Sequence, residues 1–192
     1  MKNKKKNLLL EISFLEEEII SLRHPEEIDI PEWTSWFNNP EVTEQMNKGF
    51  FPTSLSTQKE FLSTGLKDNH TLQLAVVLKK RKKLVGTIGL HKIDWIHRTA
   101  DVSILLGSNE ASGKGIGKRC INLVVEHAFN KLNLRKLTAG MWSINKGSER
   151  IFKDCGFKFE GKLKKQFFYK HEYIDSLHYA IHKNEWTSNF KK

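Results

Sequence analysis

Residues 112–118, Ser112-Gly113-Lys114-Gly115-Ile116-Gly117-Lys118, sit between a strand-like segment and a helix-like one. Upstream, Ala100, Val102, Ile104 and Leu106 alternate with Asp101, Ser103 and Leu105, the period of two of a β-strand. Downstream, Ile121, Val124, Val125 and Ala128 recur at helical spacing. The segment RKLTAGMW (135–142) then reads as a second strand. The unit is strand, glycine loop, helix, strand.

Two phosphate motifs are excluded by spacing. A P-loop needs a glycine five residues before its Gly-Lys pair and Ser or Thr after it. Counting back from Gly113-Lys114 reaches Ser108, with Gly115 following; counting back from Gly117-Lys118 reaches Ser112, with Arg119 following. The dinucleotide fingerprint G-x-G-x-x-G fails by one residue, because the glycines are 113, 115 and 117. The physical features of the loop remain. The first N–H groups of a helix lack internal partners, the helix dipole favours an anion there, and Lys114 and Lys118 add positive potential. The loop reads either as an anion cradle suited to a pyrophosphate or as a tight turn with solvated lysines.

Outward from this unit, residues 18–25 (EIISLRHP) read as a strand. Residues 30–42 read as a short helix opened by Pro31 and closed by Asn39-Pro40, and residues 56–67 as a second helix. LQLAVVLKK (72–80) and KLVGTIGLHKI (83–93) form a hairpin about a charged turn. Residues 144–157 read as a helix with Asn145 at its cap and Gly156 at its stop. KFEGKLKKQFF (158–168) and HEYIDSLHYAIH (171–182) read as the last strands. The expected class is α+β, with a mixed, mostly antiparallel twisted sheet of about seven strands and helices on both faces. A chain of 192 residues without repeats or linkers reads as one domain over 1–192, with residues 1–14 as a basic N-terminal extension.

No apolar run is long enough to span a bilayer, and Glu11 interrupts the apolar patch near the start, which reads as cytoplasmic rather than exported. Cys120 and Cys155 have no metal-ligand spacing and read as intracellular thiols. The net charge of +10 favours an anionic partner, such as nucleic acid or a phosphate-rich cosubstrate, or serves solubility alone. No helix-turn-helix, aromatic RNA-binding signature or zinc finger is present, which argues against nucleic acid.

The loop from Ser112 to Gly117 resembles the Gln/Arg-x-x-Gly-x-Gly/Ala motif of the GNAT acetyltransferases, with Ser112 in place of the leading Gln or Arg. The resemblance runs from about residue 19 to about residue 181. It includes WFNNPEV (36–42), similar to the opening helix of the branch holding ribosomal-protein N-terminal and spermidine acetyltransferases. GTIGLHKIDWIHRTADVSILL (86–106), NLRKLTAGMWSINKGSERIFKDCGF (133–157) and FEGKLKKQFFYKHEYIDSLHYAI (159–181) continue it in order. The resemblance implies acetyl coenzyme A as cosubstrate, no metal, a small-molecule amine as partner and, as in many similar enzymes, a homodimer. It assigns the coenzyme to Leu105, Gly113, Lys114, Gly115, Ile116, Gly117, Lys118, Asn145 and Ser148, with the pantetheine arm between two splayed strands.

Acetyl transfer needs a neutral amine, and an alkylammonium with a pKa of about 10.4 must first lose a proton to a base. Asp101, where spermidine-type enzymes carry Glu, is the expected base. His91 and His97 flank the same region and titrate in the useful range. Phe152 stands where many relatives carry a Tyr that protonates the leaving thiolate; Tyr169 and Tyr173 are the alternatives. Trp33, Trp36, Met46 and Phe50 are expected to wall the acceptor pocket. The segment they occupy resembles acetyltransferases acting on nucleotide-linked amino sugars, which suits the positive charge and makes such a sugar the first acceptor reading. A polyamine or a protein N-terminus is the alternative, and a non-catalytic coenzyme A or nucleic-acid binder is the alternative of another class.

Overall fold

The computed structural model describes residues 12–190 apart from Leu66, Asp68 and Ser112. Ser112, the departure from the family loop, and most of the expected N-terminal extension therefore lie outside the described residues. In chain order the strands are β1 (Leu15–Glu16), β2 (Ile20–Arg23), β3 (Leu72–Leu78), β4 (Lys83–Asp94), β5 (Thr99–Leu106), β6 (Lys136–Trp142), β7 (Lys158–Tyr169) and β8 (Glu172–His182). The helices are α1 (Ile30–Phe37), α2 (Pro40–Thr43), α3 (Leu55–Glu60), α4 (Ile116–Asn130), α5 (Lys146–Asp154) and α6 (Lys183–Phe190).

The strands form one sheet in the order β1-β2-β3-β4-β5-β6-β8-β7. Its eight strands exceed the expected seven by β1, a two-residue strand too short to show a period of two, which pairs with β2. Among the described pairs only β5 and β6 run parallel, as a crossover through α4 requires. Two further elements differ from the expectation. The helix after Ser54 is regular only to Glu60 and continues as a single wide π turn over Phe61–Gly65. The chain after β8 folds as α6, whose Trp186 packs on Phe129 of α4 with ring centroids 5.6 Å apart.

The alternation in β5 sorts its side chains onto two faces. Ala100 and Val102 join the main core beneath α4, which contributes Ile116, Ile121, Val124, Val125 and Phe129. A fully buried side chain of this size is worth roughly 1.5–3 kcal/mol over its exposed state, so this face holds most of the fold. Leu105 points the other way, into a small cluster with Trp33 and Trp36 of α1. Helices thus cover both faces. The position of α1 is fixed at its start by Asp29, which accepts two hydrogen bonds from the Arg23 guanidinium at 2.7 and 2.8 Å in a buried pair.

Gly107, at the end of β5, lies flat against Trp36; a Cβ there would fall 2.1 Å from the indole ring. Gly107→Ala is expected to destabilise the fold by about 1–3 kcal/mol, the usual cost of overpacking, seen as a lower denaturant midpoint. An unchanged midpoint would mean that α1 does not seat on the end of β5.

Candidate active site

The glycine loop opens α4 directly. Gly113 and Gly115 hold φ angles of +71° and +69°, a left-handed conformation that side chains rarely adopt. A Cβ added at either would meet no atom within 4 Å, so the loop faces open space. Ile116 and Gly117 are buried. Ile116 anchors in the core, and Gly117 lies against Ile151 of α5, 3.2 Å from where its Cβ would be. These two positions therefore offer backbone amides, not side chains. Lys114 and Lys118 are exposed beside them. Free first-turn amides, room above the glycines and two lysines fit a pyrophosphate.

Beyond this loop the two parallel strands part. β5 and β6 pair only at Thr99 to Asp101 against Lys136 to Thr138. Past that point a cleft of about 380 Å³ opens, with Ile104, Leu105 and Leu106 on one wall and Asn145, Ser148 and Phe152 on the other. Asn145 caps α5: its Oδ1 accepts the Ser148 amide at 2.9 Å, and its Nδ2 donates to the Gln45 carbonyl at 3.3 Å. The cap expected from sequence is present, and the same side chain ties α5 to the segment after α2.

A second cavity, of about 590 Å³, shares Met46, Ile104 and Leu105 with the cleft. Trp33, Phe37, Phe50, Phe51 and Phe61 contribute aromatic walls, and the sheet contributes Gln73, Thr87, His91 and Ser103. Lys48 brings a cation, and among the described residues no carboxylate lines this cavity. Trp33 is buried with its indole N–H unpaired among the described residues. Of the four residues expected to wall an acceptor pocket, Trp33, Met46 and Phe50 line this cavity; Trp36 does not, because its ring is committed to Gly107. A shallower cleft continues past Phe50, where Trp142 stacks between Phe50 and Phe167 and Glu44 accepts a hydrogen bond from Tyr169 at 2.9 Å.

The sequence model of the acetyltransferase (GNAT) domain matches residues 20–158, more than half of the chain. The chain belongs to the GNAT acetyltransferase family. A spermidine N(1)-acetyltransferase of Vibrio cholerae is 34% identical over 100 residues, covering 52% of this chain and 57% of that protein. The chain thus aligns with little more than half the length of that relative. An uncharacterized N-acetyltransferase, p20, of Bacillus licheniformis is 26% identical over 174 residues, covering 88% of this chain and 96% of that protein. Among solved structures, the spermidine N-acetyltransferase from Vibrio cholerae in complex with CoA and spermine superposes with a TM-score of 0.81 at 26% identity, covering 89% of this chain and 99% of that one. The open glycine loop at the start of α4 and the gap between β5 and β6 fit coenzyme A.

The titratable groups of this GNAT domain divide sharply. Asp101 lies at the fork of the splay, half-exposed, hydrogen-bonded by the Thr138 hydroxyl and 3.4 Å from Lys92 Nζ. It is absent from the described walls of both cavities. His91, its register partner on β4, does line the aromatic cavity, with Nε2 2.7 Å from Ser103 Oγ. The pairing register shifts between His91 and Asp94, and Lys92 takes a φ of +49°, a bulge of the kind that re-aims a side chain. Burial lowers the His91 pKa below the ordinary imidazole value; Lys48 and Lys92 lower it further and Asp101 opposes them. His97 departs from the expectation: it sits exposed in the β4–β5 turn, its backbone held by Asp94 and Arg135. Nothing in the sequence separates it from His91.

Phe152 lines the cleft and packs edge-on against Phe157 at 5.0 Å, offering no proton. Of the two alternatives, Tyr169 lines the cleft past Phe50, while Tyr173 is exposed against Phe168. Burial pushes the Cys120 thiol up to about 12 and Cys155 to about 11, so both stay protonated and poorly nucleophilic. Among the described residues no group of three or more His, Cys, Asp or Glu is placed to hold a metal, and no helix is long and apolar enough to cross a membrane.

Proposed function

We propose that this protein is an acetyl-CoA-dependent N-acetyltransferase that acetylates a primary amine of a small molecule by direct transfer in a ternary complex. The observation carrying this reading is the pair of joined cavities. A glycine cradle and cleft suited to the coenzyme meet an aromatic chamber at Met46, Ile104 and Leu105. The amides of Gly113, Lys114, Gly115, Ile116, Gly117 and Lys118 hold the pyrophosphate. Leu105, Asn145 and Ser148 line the pantetheine arm. His91 takes the ammonium proton, because it faces the chamber, and Asp101 stabilises the resulting imidazolium from the neighbouring strand. The neutral amine then attacks the thioester carbonyl. With both cysteines protonated, no acetyl-cysteine intermediate is needed.

For the acceptor class, the names of the relatives support a polyamine over the nucleotide-linked amino sugar that the positive charge suggests. The experiment is thiol release from acetyl-CoA with polyamines, nucleotide-linked amino sugars and simple amines. Tight coenzyme binding without release on any amine would return the protein to the class of non-catalytic binders.

The thiolate must leave without a phenol at position 152. Phe152→Tyr places a hydroxyl at the cleft, and where thiolate departure limits turnover it is expected to raise kcat several-fold, part of the roughly 10²–10⁴ that a positioned general acid typically supplies. An unchanged kcat would show that departure is not limiting.

A further inference from the structure

The wall chemistry of the aromatic cavity narrows the acceptor further than the relatives do. Five aromatic residues surround a space of about 590 Å³, in the size range of a small-molecule site. The one side-chain ammonium on that wall belongs to the protein itself, at Lys48. Glu41 and Glu44 line the adjoining clefts instead, and Asp101 stands behind His91 on the neighbouring strand, off this wall. Glu44 is already committed to Lys170 and the Tyr169 hydroxyl. Aromatic faces attract a cation, but Lys48 on the same wall repels one. A monoamine loses its only charge when its ammonium gives a proton to His91; a polyamine keeps one or two more, with no carboxylate opposite on this wall among the described residues.

We infer that the acceptor is an arylalkyl primary amine, a molecule with one amino group on an aromatic body, held by ring packing in the chamber of Trp33, Phe37, Phe50, Phe51 and Phe61. This rests on the N-acetyltransferase reading and replaces the polyamine acceptor that the relatives' names suggest. The reaction balances as follows. The ammonium gives one proton to the base, the nitrogen lone pair forms the C–N bond, and the C–S bond breaks. The amide nitrogen then loses its second proton as the thiolate takes one. The net products are the N-acetylamine, the free thiol and one proton.

The test measures thiol release from acetyl-CoA with phenethylamine, tryptamine and spermidine, and with Phe50→Glu beside the parent protein. Phe50 is 62% exposed, so the variant is expected to fold. The arylalkylamines are expected to exceed spermidine in kcat/KM by at least about tenfold. Phe50→Glu, which puts a carboxylate on the wall, is expected to move that ratio at least about tenfold toward spermidine. A preference for spermidine in the parent protein, or a ratio unmoved by Phe50→Glu, overturns the inference and leaves the transferase reading standing. If no amine releases thiol, calorimetric titration of phenethylamine into the coenzyme-A-saturated protein decides. Binding that weakens in Phe50→Glu supports the chamber and overturns transfer; absence of binding overturns the inference.

Discussion

His91→Gln is expected to lower kcat/KM by about 10²–10⁴-fold, the span that a positioned general base contributes. His91 is the imidazole that lines the aromatic chamber, set by the bulge that follows it and by Ser103 at 2.7 Å. Its pKa is lowered, chiefly by burial and then by Lys48 and Lys92, with Asp101 pulling the other way. A base acts when unprotonated. A lowered pKa therefore keeps His91 competent at neutral pH, and activity should fall only as pH drops through a value below the ordinary imidazole pKa. That acid limb of the kcat/KM profile should vanish in His91→Gln. Asp101→Asn removes the charge that raises the His91 pKa, so the limb should move to still lower pH while kcat falls by about tenfold, the loss of support for the imidazolium. The opposite ranking, with Asp101→Asn nearly inactive and His91→Gln mild, would return the base to Asp101, the residue the sequence alone favours.

Gly115→Val is expected to weaken coenzyme A binding by more than about 100-fold, measured by titration calorimetry. Two costs combine. Gly115 holds a φ of +69°, and a left-handed conformation costs an ordinary residue about 1–2 kcal/mol. The new side chain would also enter the open space above the loop and displace the anion from the first-turn amides. Charge-assisted hydrogen bonds of that kind are worth about 1.5–3 kcal/mol each. Gly115→Ala should show mainly the first cost, and Lys114→Ala a smaller, salt-sensitive one. Equal affinity in Gly115→Val would place the coenzyme elsewhere on the domain.

The cofactor half of the site was more legible in the sequence than the acceptor half. Backbone machinery leaves a local trace: glycines where φ must be positive, Asn145 where a helix starts, alternation up to Leu106. The aromatic chamber is assembled from residues as distant as Trp33, Phe61, His91 and Ser103. Its walls depend on tertiary packing that no local period records. Trp33 and Trp36 illustrate the limit. They share one helix and one residue type, yet Trp33 lines the chamber and Trp36 is spent covering Gly107. His91 and His97 divide likewise, by a bulge on one side and a turn on the other. Asp101 was located correctly on its strand, but alternation gives only the face of the sheet, not the distance along it to a cavity. The overall charge of +10 points toward an anionic acceptor, but net charge says little about which side chains line a given wall.

The parting of β5 from β6 has a thermodynamic side. Past Asp101 and Thr138, no strand among the described residues pairs with the inner edges of these two strands, although each keeps its other neighbour. Backbone groups there are left to solvent or to a guest, and whatever occupies the gap finishes the domain's architecture as well as supplying its chemistry. Resistance to unfolding then tracks the supply of that guest: a ligand present at 100 times its Kd adds about 2.7 kcal/mol. In a cell, the stability of this chain would rise and fall with the local abundance of coenzyme A, acetylated or free.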